Sequence, residues 1–297
     1  MKNIIITIPA YNEEETIGYV IQDIKKTMQE TGYHWKILVV SDGSRDRTNE
    51  IAKKLGAAVY IHNYRRGLAE VFRSEMQECL RMKAEIIVHI DADGQYDAKD
   101  IPRLIAEVEK GYDLVLGNRF RGGIEEMPVM KKIGNRAFSK VISNILKYPV
   151  GDCQTGFRAF TQDVAQLQII SNYSYTQEQI IRAVKENFRV KEIPTHFGKR
   201  IAGTSRLMSN PFAYALRAWI NIIRLYRDYN PLSFFGRIGC FSVGLGILVG
   251  VCLVILFIFT GKVGHVPLTI FSILLIIIGI QIISIGFLAD MIKNRER

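Results

Sequence analysis

The sequence predicts an α/β fold: a Rossmann-like, mostly parallel sheet, then an interfacial helix and a two-helix transmembrane hairpin. Three observations predict it. Short apolar runs alternate with helical patterns from Ile4 to Gly117. One run, Ile86-Ile87-Val88-His89-Ile90, ends in Asp91-Ala92-Asp93-Gly94-Gln95. Finally, Ile238–Thr260 and Pro267–Ala289 are each 23 residues without a charge.

Ile4–Ile8 reads as the first strand and Glu13–Gln29 as a helix that Asn12 caps. Lys36–Ser41 is a second strand, followed by Asp42-Gly43-Ser44 and a helix through Leu55. Ala57–His62 gives a third strand, Gly67–Arg81 a helix, and Glu85–Ile90 the strand that leads to the acid pair. Asp100–Glu109 and Leu114–Gly117 continue the alternation, which implies parallel pairing with right-handed crossovers. After Gly117 the rhythm changes. Arg119–Met130 reads as a polar loop, roughly 131–147 as a helix, Asp152–Gly156 as a turn, Gln177–Asn187 as a helix and Arg189–Ile193 as a strand. Arg217, Asn221, Arg224 and Asp228 then form one stripe of an amphipathic helix, whose other faces carry Leu216, Trp219, Ile220, Ile223 and Tyr226.

Each charge-free run is about 35 Å long as a helix, enough for a bilayer core of about 30 Å. Only Gly261–Val266 joins them, so a hairpin is expected. The net charge of +10 is concentrated around it. Residues 199–297 hold 11 Lys and Arg against 3 Asp and Glu, whereas residues 1–198 hold 28 against 26. Arg237 precedes the first run and Lys293, Arg295 and Arg297 follow the second, which predicts a multi-pass protein of the cell membrane with both ends cytoplasmic. Basic residues at an anionic leaflet explain the charge better than nucleic acid does. Met1–Asn3 leads directly into the first strand, so no signal peptide is expected. The four cysteines show no paired spacing and the five histidines no ligand spacing, so neither a disulfide framework nor a zinc site is expected. The expected domains are 1–207, 208–236 and 237–297.

In extended backbone Asp91, Asp93 and Gln95 point the same way. Their oxygens suit Mg²⁺ or Mn²⁺, ions that keep positions open for substrate phosphates; a solvated turn is the competing reading. The carboxyl end of a strand in an open α/β sheet is a ligand-binding place, so the pattern suggests a metal-diphosphate site.

Three segments carry a family resemblance. Ile8-Pro9-Ala10-Tyr11-Asn12-Glu13, Ser41-Asp42-Gly43-Ser44-Arg45-Asp46 and Asp91-Ala92-Asp93-Gly94-Gln95 resemble the nucleotide-sugar motifs of family 2 glycosyltransferases. Gly117-Asn118-Arg119, Asp152…Phe160 and Arg200…Arg206 resemble the polyprenyl-phosphate branch, typified by dolichol-phosphate mannose synthase. The resemblance covers about residues 4–207. It implies a GT-A fold and inverting, metal-dependent transfer of a hexose from a nucleotide-diphosphate sugar (GDP-mannose favoured, UDP-glucose next) to a polyprenyl (dolichyl or undecaprenyl) phosphate. It also implies that Pro9, Tyr11, Glu13, Asp42 and Asp91 line the nucleotide-sugar pocket, that Asp91, Asp93 and Gln95 hold the metal, and that Arg119 meets the acceptor phosphate. Two positions depart from the pattern. Ser41 replaces a frequent Asp, and Lys131 and Asn135 stand where mannose synthases carry Arg and Ser.

The residues themselves point the same way. A phosphomonoester is largely a dianion near pH 7 and needs no strong base. Cations to hold it are available in Arg119, Lys131, Arg200 and Arg206. Glu178 is the candidate if a base is used, although it could equally serve the dipole of its helix. Asp152 and Arg158 could orient the sugar or brace the site, with a purely structural turn the equal alternative. Two other readings stay open: transfer to a lipid or glycan hydroxyl, with Glu178 essential, and a non-catalytic nucleotide-sugar-binding membrane scaffold. Self-association into a homo-oligomer is also open.

Overall fold

The computed structural model describes residues 2–170, 175–202, 220, 223–224, 226–261 and 264–295. The chain divides into two compact units, Met1–Ala215 and Leu216–Arg297.

In the first unit seven strands form one sheet: β1 (Asn3–Ala10), β2 (His34–Ser41), β3 (Ala58–Ile61), β4 (Ile86–His89), β5 (Leu114–Asn118), β6 (Arg158–Thr161) and β7 (Val190–Pro194). Their order is β3-β2-β1-β4-β6-β5-β7. All pairings are parallel except those of β6, which runs antiparallel to both β4 and β5. Helices α1 (Ile17–Gln29), α2 (Thr48–Lys54), α3 (Leu68–Arg81) and α4 (Ile101–Glu109) make the crossovers.

Strand β1 is apolar along nearly its whole length because both its faces are covered. Ile4, Ile6 and Ile8 pack with Ile17, Ile21 and Ile24 of α1 and with Ile101, Leu104 and Ile105 of α4. Ile5 and Thr7 point to the other face, which α3 covers with Phe72 and Met76. The register aligns Ala10 with Ser41 and Thr7 with His89. Residues 11, 42 and 91 therefore leave the sheet along one edge, the carboxyl ends of the parallel strands.

The expected alternation is present, with two corrections. Asn12 does not cap a helix beginning at Glu13. It sits at φ +51, its side-chain carbonyl accepts from the Arg45 N–H at 2.9 Å, and α1 starts at Ile17. The segment read as a turn followed by unassigned chain contains β6. Helix α6 (Val129–Leu146) packs over the carboxyl edge of the sheet, with Ser139 Oγ accepting from Cys153 N at 3.1 Å, so the chain re-enters from that edge and must run backwards. Four residues beginning with a buried Arg158 carry no strand periodicity. Arg119–Gly122, expected as loop, form a short turn of helix, α5. Two further helices are α7 (Gln162–Ala165) and α8 (Tyr175–Lys185).

Among its described residues, the second unit contains two helices long and apolar enough to cross a membrane, Pro231–Thr260 and Val266–Arg295. They pack on each other through small residues. A Cβ on Gly279 would lie 2.6 Å from Val243 Cγ2 and 2.7 Å from the Gly239 carbonyl, so the backbones meet there. Ser242 Oγ donates to Leu275 O at 2.8 Å and Ser272 Oγ to Gly246 O at 2.7 Å. Of the amphipathic stripe, Arg217 and Asn221 lie outside the described residues, as do Leu216 and Trp219; Arg224 and Asp228 are helical.

Gly279→Leu should force the two helices apart and lower the melting temperature in detergent by several degrees. Ser272→Ala should cost only about 0.6 kcal/mol, because one interhelical hydrogen bond is a small term in an apolar medium. Circular dichroism melts of the two variants check both.

Candidate active site

The carboxyl edge of the sheet opens into a cavity of about 600 Å³. Pro9, Tyr11 and Glu13 enter it from the end of β1 and Asp42 from the end of β2. Asp42 is buried and accepts hydrogen bonds from the Arg66 and Gly67 N–H groups at 2.8 and 2.9 Å, which closes the loop after β3 over the pocket. Behind it, His62 Nδ1 lies 3.1 Å from Asp42 Oδ1 and His62 Nε2 lies 2.8 Å from Ser74 Oγ on α3. Gly43 is required in the turn. Its φ is +72 and a Cβ would come within 2.8 Å of the Tyr64 carbonyl carbon. The same closure lays the Arg65 guanidinium over the Tyr11 ring, 4.5 Å from its centroid. Ser41, where relatives often carry Asp, is buried and hydrogen-bonds Ser44 Oγ at 2.9 Å, and Ser44 Oγ accepts from Asn12 N at 3.1 Å. This position laces the two loops together behind the pocket.

Asp91, Asp93 and Gln95 line the middle of the cavity. Burial, and next the charge of Asp91, push the Asp93 carboxyl up to about 6, although Arg200 opposes the shift. Arg200 donates to Asp93 Oδ2 at 2.8 Å. It reaches this place because Gly198 N donates to Gln95 O at 2.8 Å and Gln95 Nε2 to Gly198 O at 3.1 Å, pinning residues more than a hundred positions apart. Among the described residues no group of three or more His, Cys, Asp or Glu gathers around one point. Two repelling hard-oxygen carboxylates beside an open cavity nevertheless fit an ion such as Mg²⁺ or Mn²⁺, which takes most of its ligands from water and phosphate. Asp91 and Asp93 could hold it. The Gln95 amide is bonded to Gly198 through its nitrogen.

The third part of the cavity is cationic. Arg119 leaves the end of β5, and Lys131 and Asn135 come from α6. Arg119 is buried and donates through Nε and Nη2 to both oxygens of Asp152, at 2.7 and 2.8 Å. Burial alone would weaken its hold on the proton, but Tyr96 and Asp152 outweigh that and raise it. Asp152 is set in turn by Glu192, whose carboxylate accepts from Gly151 N at 2.8 Å and Asp152 N at 2.9 Å. Burial, then Arg119, lower the proton affinity of the Lys131 ammonium. The buried Asn135 Oδ1 has no hydrogen-bond partner among the described residues. Arg206 lies outside the described residues.

Glu178, the candidate base, is not brought to the cavity. Its buried carboxylate accepts from Ile170 N at 3.0 and 3.1 Å and from Arg182 Nε at 2.9 Å, which draws it to the far side of the helix end. Tyr175, Thr176 and Gln177 line the cavity instead. Arg158 is wholly buried below them, donating to Thr176 O at 3.1 Å, to Gln179 Oε1 at 2.9 Å and to the Thr155 carbonyl, and so ties α8 to the 152–156 turn. Arg65, Gln177 and Phe197 line the site without any motif to announce them. Phe197 lies under the Arg119 guanidinium at 5.2 Å.

A profile of the family described as Glycosyl transferase family 2 matches residues 5–167. A Haloferax volcanii protein named Dolichyl-phosphate hexose transferase is 32% identical over 209 residues, covering 70% of this chain and 87% of its own length. Glycosyltransferase AglJ of the same organism is 27% identical over 298 residues, covering 98% and 94%. Among solved structures, glucosyl-3-phosphoglycerate synthase from Mycobacterium tuberculosis in complex with Mn²⁺, uridine-diphosphate-glucose and phosphoglyceric acid aligns with a TM-score of 0.59 at 21% identity, covering 75% and 79%. That likeness is one of fold, and the fold is the expected GT-A architecture.

Two outcomes follow from the charges. Asp152→Ala leaves Arg119 buried without its partner and should cost about 3–5 kcal/mol in chemical denaturation, whereas the double variant Arg119→Met/Asp152→Leu should recover most of it. In chelator, the raised Asp93 pKa makes the folded state hold its proton more tightly than the unfolded chain does. Its contribution is therefore complete below about pH 4 and lost as pH rises through about 6. Asp93→Asn should flatten that part of the stability–pH curve.

Proposed function

The chain belongs to glycosyl transferase family 2, and we propose that it transfers a hexose, with inversion, from a nucleotide-diphosphate sugar to the phosphate of a polyprenyl lipid at the cytoplasmic face of a membrane. One observation carries this reading: the carboxylates among the described residues lining the cavity, Glu13, Asp42, Asp91 and Asp93, all belong to the nucleotide motifs. The opposite wall offers Lys131, Asn135, Arg119, Thr176 and Gln177. A hydroxyl acceptor would need a base there. A phosphate dianion brings its own nucleophilic charge and needs cations. The relative named for dolichyl-phosphate hexose transfer supports the same acceptor class.

The residues divide the work between two anions. Tyr11, Asp42 and the Arg65-stacked loop hold the nucleotide, and Asp91 and Asp93 face the diphosphate. Mg²⁺ or Mn²⁺ held by these two carboxylates would neutralise charge on the departing nucleoside diphosphate, and the glucosyl-3-phosphoglycerate synthase of similar fold was solved with Mn²⁺ bound. Gln95 supports the segment that carries Arg200. Lys131, Arg200 and the cavity-lining edge of Arg119 attract the acceptor phosphate, and the Asp152 clamp keeps the Arg119 fork from turning. Arg206, which lies outside the described residues, is a candidate for the same role by its sequence motif alone. Inversion follows if the phosphate oxygen attacks from the face opposite the diphosphate.

A lipid acceptor needs a membrane nearby. Val129, Met130 and Ile133 are exposed apolar residues on α6, next to Lys131 and Asn135, and Lys132, Arg136 and Lys140 share that helix. This combination suits a surface lying against anionic lipid. The two long apolar helices, with basic residues flanking their charge-free runs, support a multi-pass anchor with both ends cytoplasmic. The domains proposed are a catalytic 1–207, a juxtamembrane 208–236 and a hairpin 237–297. GDP-mannose is the preferred donor and UDP-glucose the next, on family resemblance.

Purified protein in detergent, given a panel of nucleotide sugars, polyprenyl phosphate and Mg²⁺ or Mn²⁺, should form a polyprenyl-phosphate hexose. Asp91→Ala and Asp93→Ala should each lose at least about a hundredfold in rate, and Glu178→Gln should keep its activity if it folds. Transfer to a hydroxyl lipid but not to the phosphate would overturn the reading.

A further inference from the structure

A polar cluster sealed beneath the acid pair takes no direct part in that chemistry. Thr7, Glu75 and His89 are wholly buried on the α3 face of the sheet. Thr7 Oγ1 donates to Glu75 Oε1 at 2.9 Å. His89 Nε2 lies 3.2 Å from Glu75 Oε2, a contact of charge that is not aligned as a hydrogen bond. His89 Nδ1 lies 2.7 Å from the Gly156 carbonyl. A carbonyl only accepts, so Nδ1 carries a proton. Nδ1 thus donates to the Gly156 carbonyl.

Gly156 is the point of contact with the site. Its N–H donates to Tyr96 Oη at 3.2 Å. Its α-carbon is so close to Asp91 that a Cβ would stand 2.6 and 2.8 Å from the two carboxylate oxygens. Asp91 therefore rests against bare backbone, and the height of that backbone is set by His89 from below. Gln154 and Gly156 also line the cavity. His89 precedes Asp91 by two residues, so one strand end supplies both the carboxylate and the post that supports its far wall.

We propose that His89, fixed by Glu75 and Thr7, is a positioning residue: it holds the Gly156 turn against Asp91 and thereby sets the angle at which Asp91 meets a divalent cation and the donor diphosphate. This rests on the proposed function in one respect, that Asp91 binds a metal. His89 touches no substrate. Its effect passes through Gly156, as the groups behind metal ligands commonly orient them.

Full-length protein in detergent is titrated with Mn²⁺, alone and with GDP or UDP, and free ion is followed by electron paramagnetic resonance, so that the readout does not depend on turnover. His89→Leu should weaken Mn²⁺ binding about 10–100-fold and raise the donor KM, leaving the acceptor KM unchanged. His89→Asn, whose amide nitrogen reaches the place of Nδ1, should restore most of the affinity. Gly156→Ala, which leaves the brace intact and crowds Asp91 directly, should reproduce the loss. Wild-type affinity in folded His89→Leu, or in Gly156→Ala, overturns the proposal, as does an Asn variant as weak as the Leu variant. If His89→Leu does not fold, Gly156→Ala and His89→Asn decide it. A wild-type protein that binds no Mn²⁺ with either nucleotide fails the functional reading itself, a result distinct from all of these.

Discussion

Two carboxylates leaving the end of one buried strand repel each other, and much of the surrounding structure answers that repulsion. Asp91 and Asp93 share the cavity with Glu13 and Asp42, so the floor of the site is acidic before any substrate arrives. Burial and Asp91 raise the Asp93 pKa to about 6, and Arg200 is drawn against Asp93 from a distant part of the chain. A divalent cation would relieve the same repulsion and leave Arg200 available to a phosphate. The proposed reading of two phosphates, one on each side, rests on this distribution of charge.

The opposite wall solves the reverse problem. Arg119 is a buried cation that would be costly alone, and the carboxylate of Asp152 balances it without reaching into the cavity. Glu192 holds Asp152 and Phe197 lies beneath the guanidinium, so the cation is fixed along its fork by Asp152 and across its face by Phe197. Arg158 does the equivalent work under α8, held by neutral carbonyl and amide oxygens. Because that helix end is tied to the 152–156 turn, it offers Thr176 and Gln177 to the cavity and draws Glu178 away.

Helix α3 supports both halves of the acidic side of the cavity from behind. Its adjacent residues Ser74 and Glu75 reach His62 and His89, one histidine behind Asp42 and the other behind the wall of Asp91. Neither histidine has metal-ligand spacing, and from sequence neither had an assignable role. The signal was present but weak: each is a polar residue at the end of an otherwise strand-like run, where burial demands a partner. The identity of the partner depends on which helix crosses which face of the sheet.

The sequence alone determined the alternating architecture, the two membrane-length helices and the carboxylates Asp42, Asp91 and Asp93. These are local matters: apolar period, an uncharged length, and acids placed just after strands all act over a few residues. Tertiary structure decided what those groups face. It placed β6 backwards because α6 packs over the carboxyl edge of the sheet, brought Arg200 to Asp93 through the Gln95–Gly198 pairing, and gave Arg119 to Asp152. It also turned Glu178 out and Gln177 in, although the two are neighbours at the start of one helix. Which side a residue presents depends on how its helix is rotated against the sheet. That rotation is set by buried contacts such as those of Arg158 with Thr176 and Gln179, between segments whose adjacency no local pattern encodes.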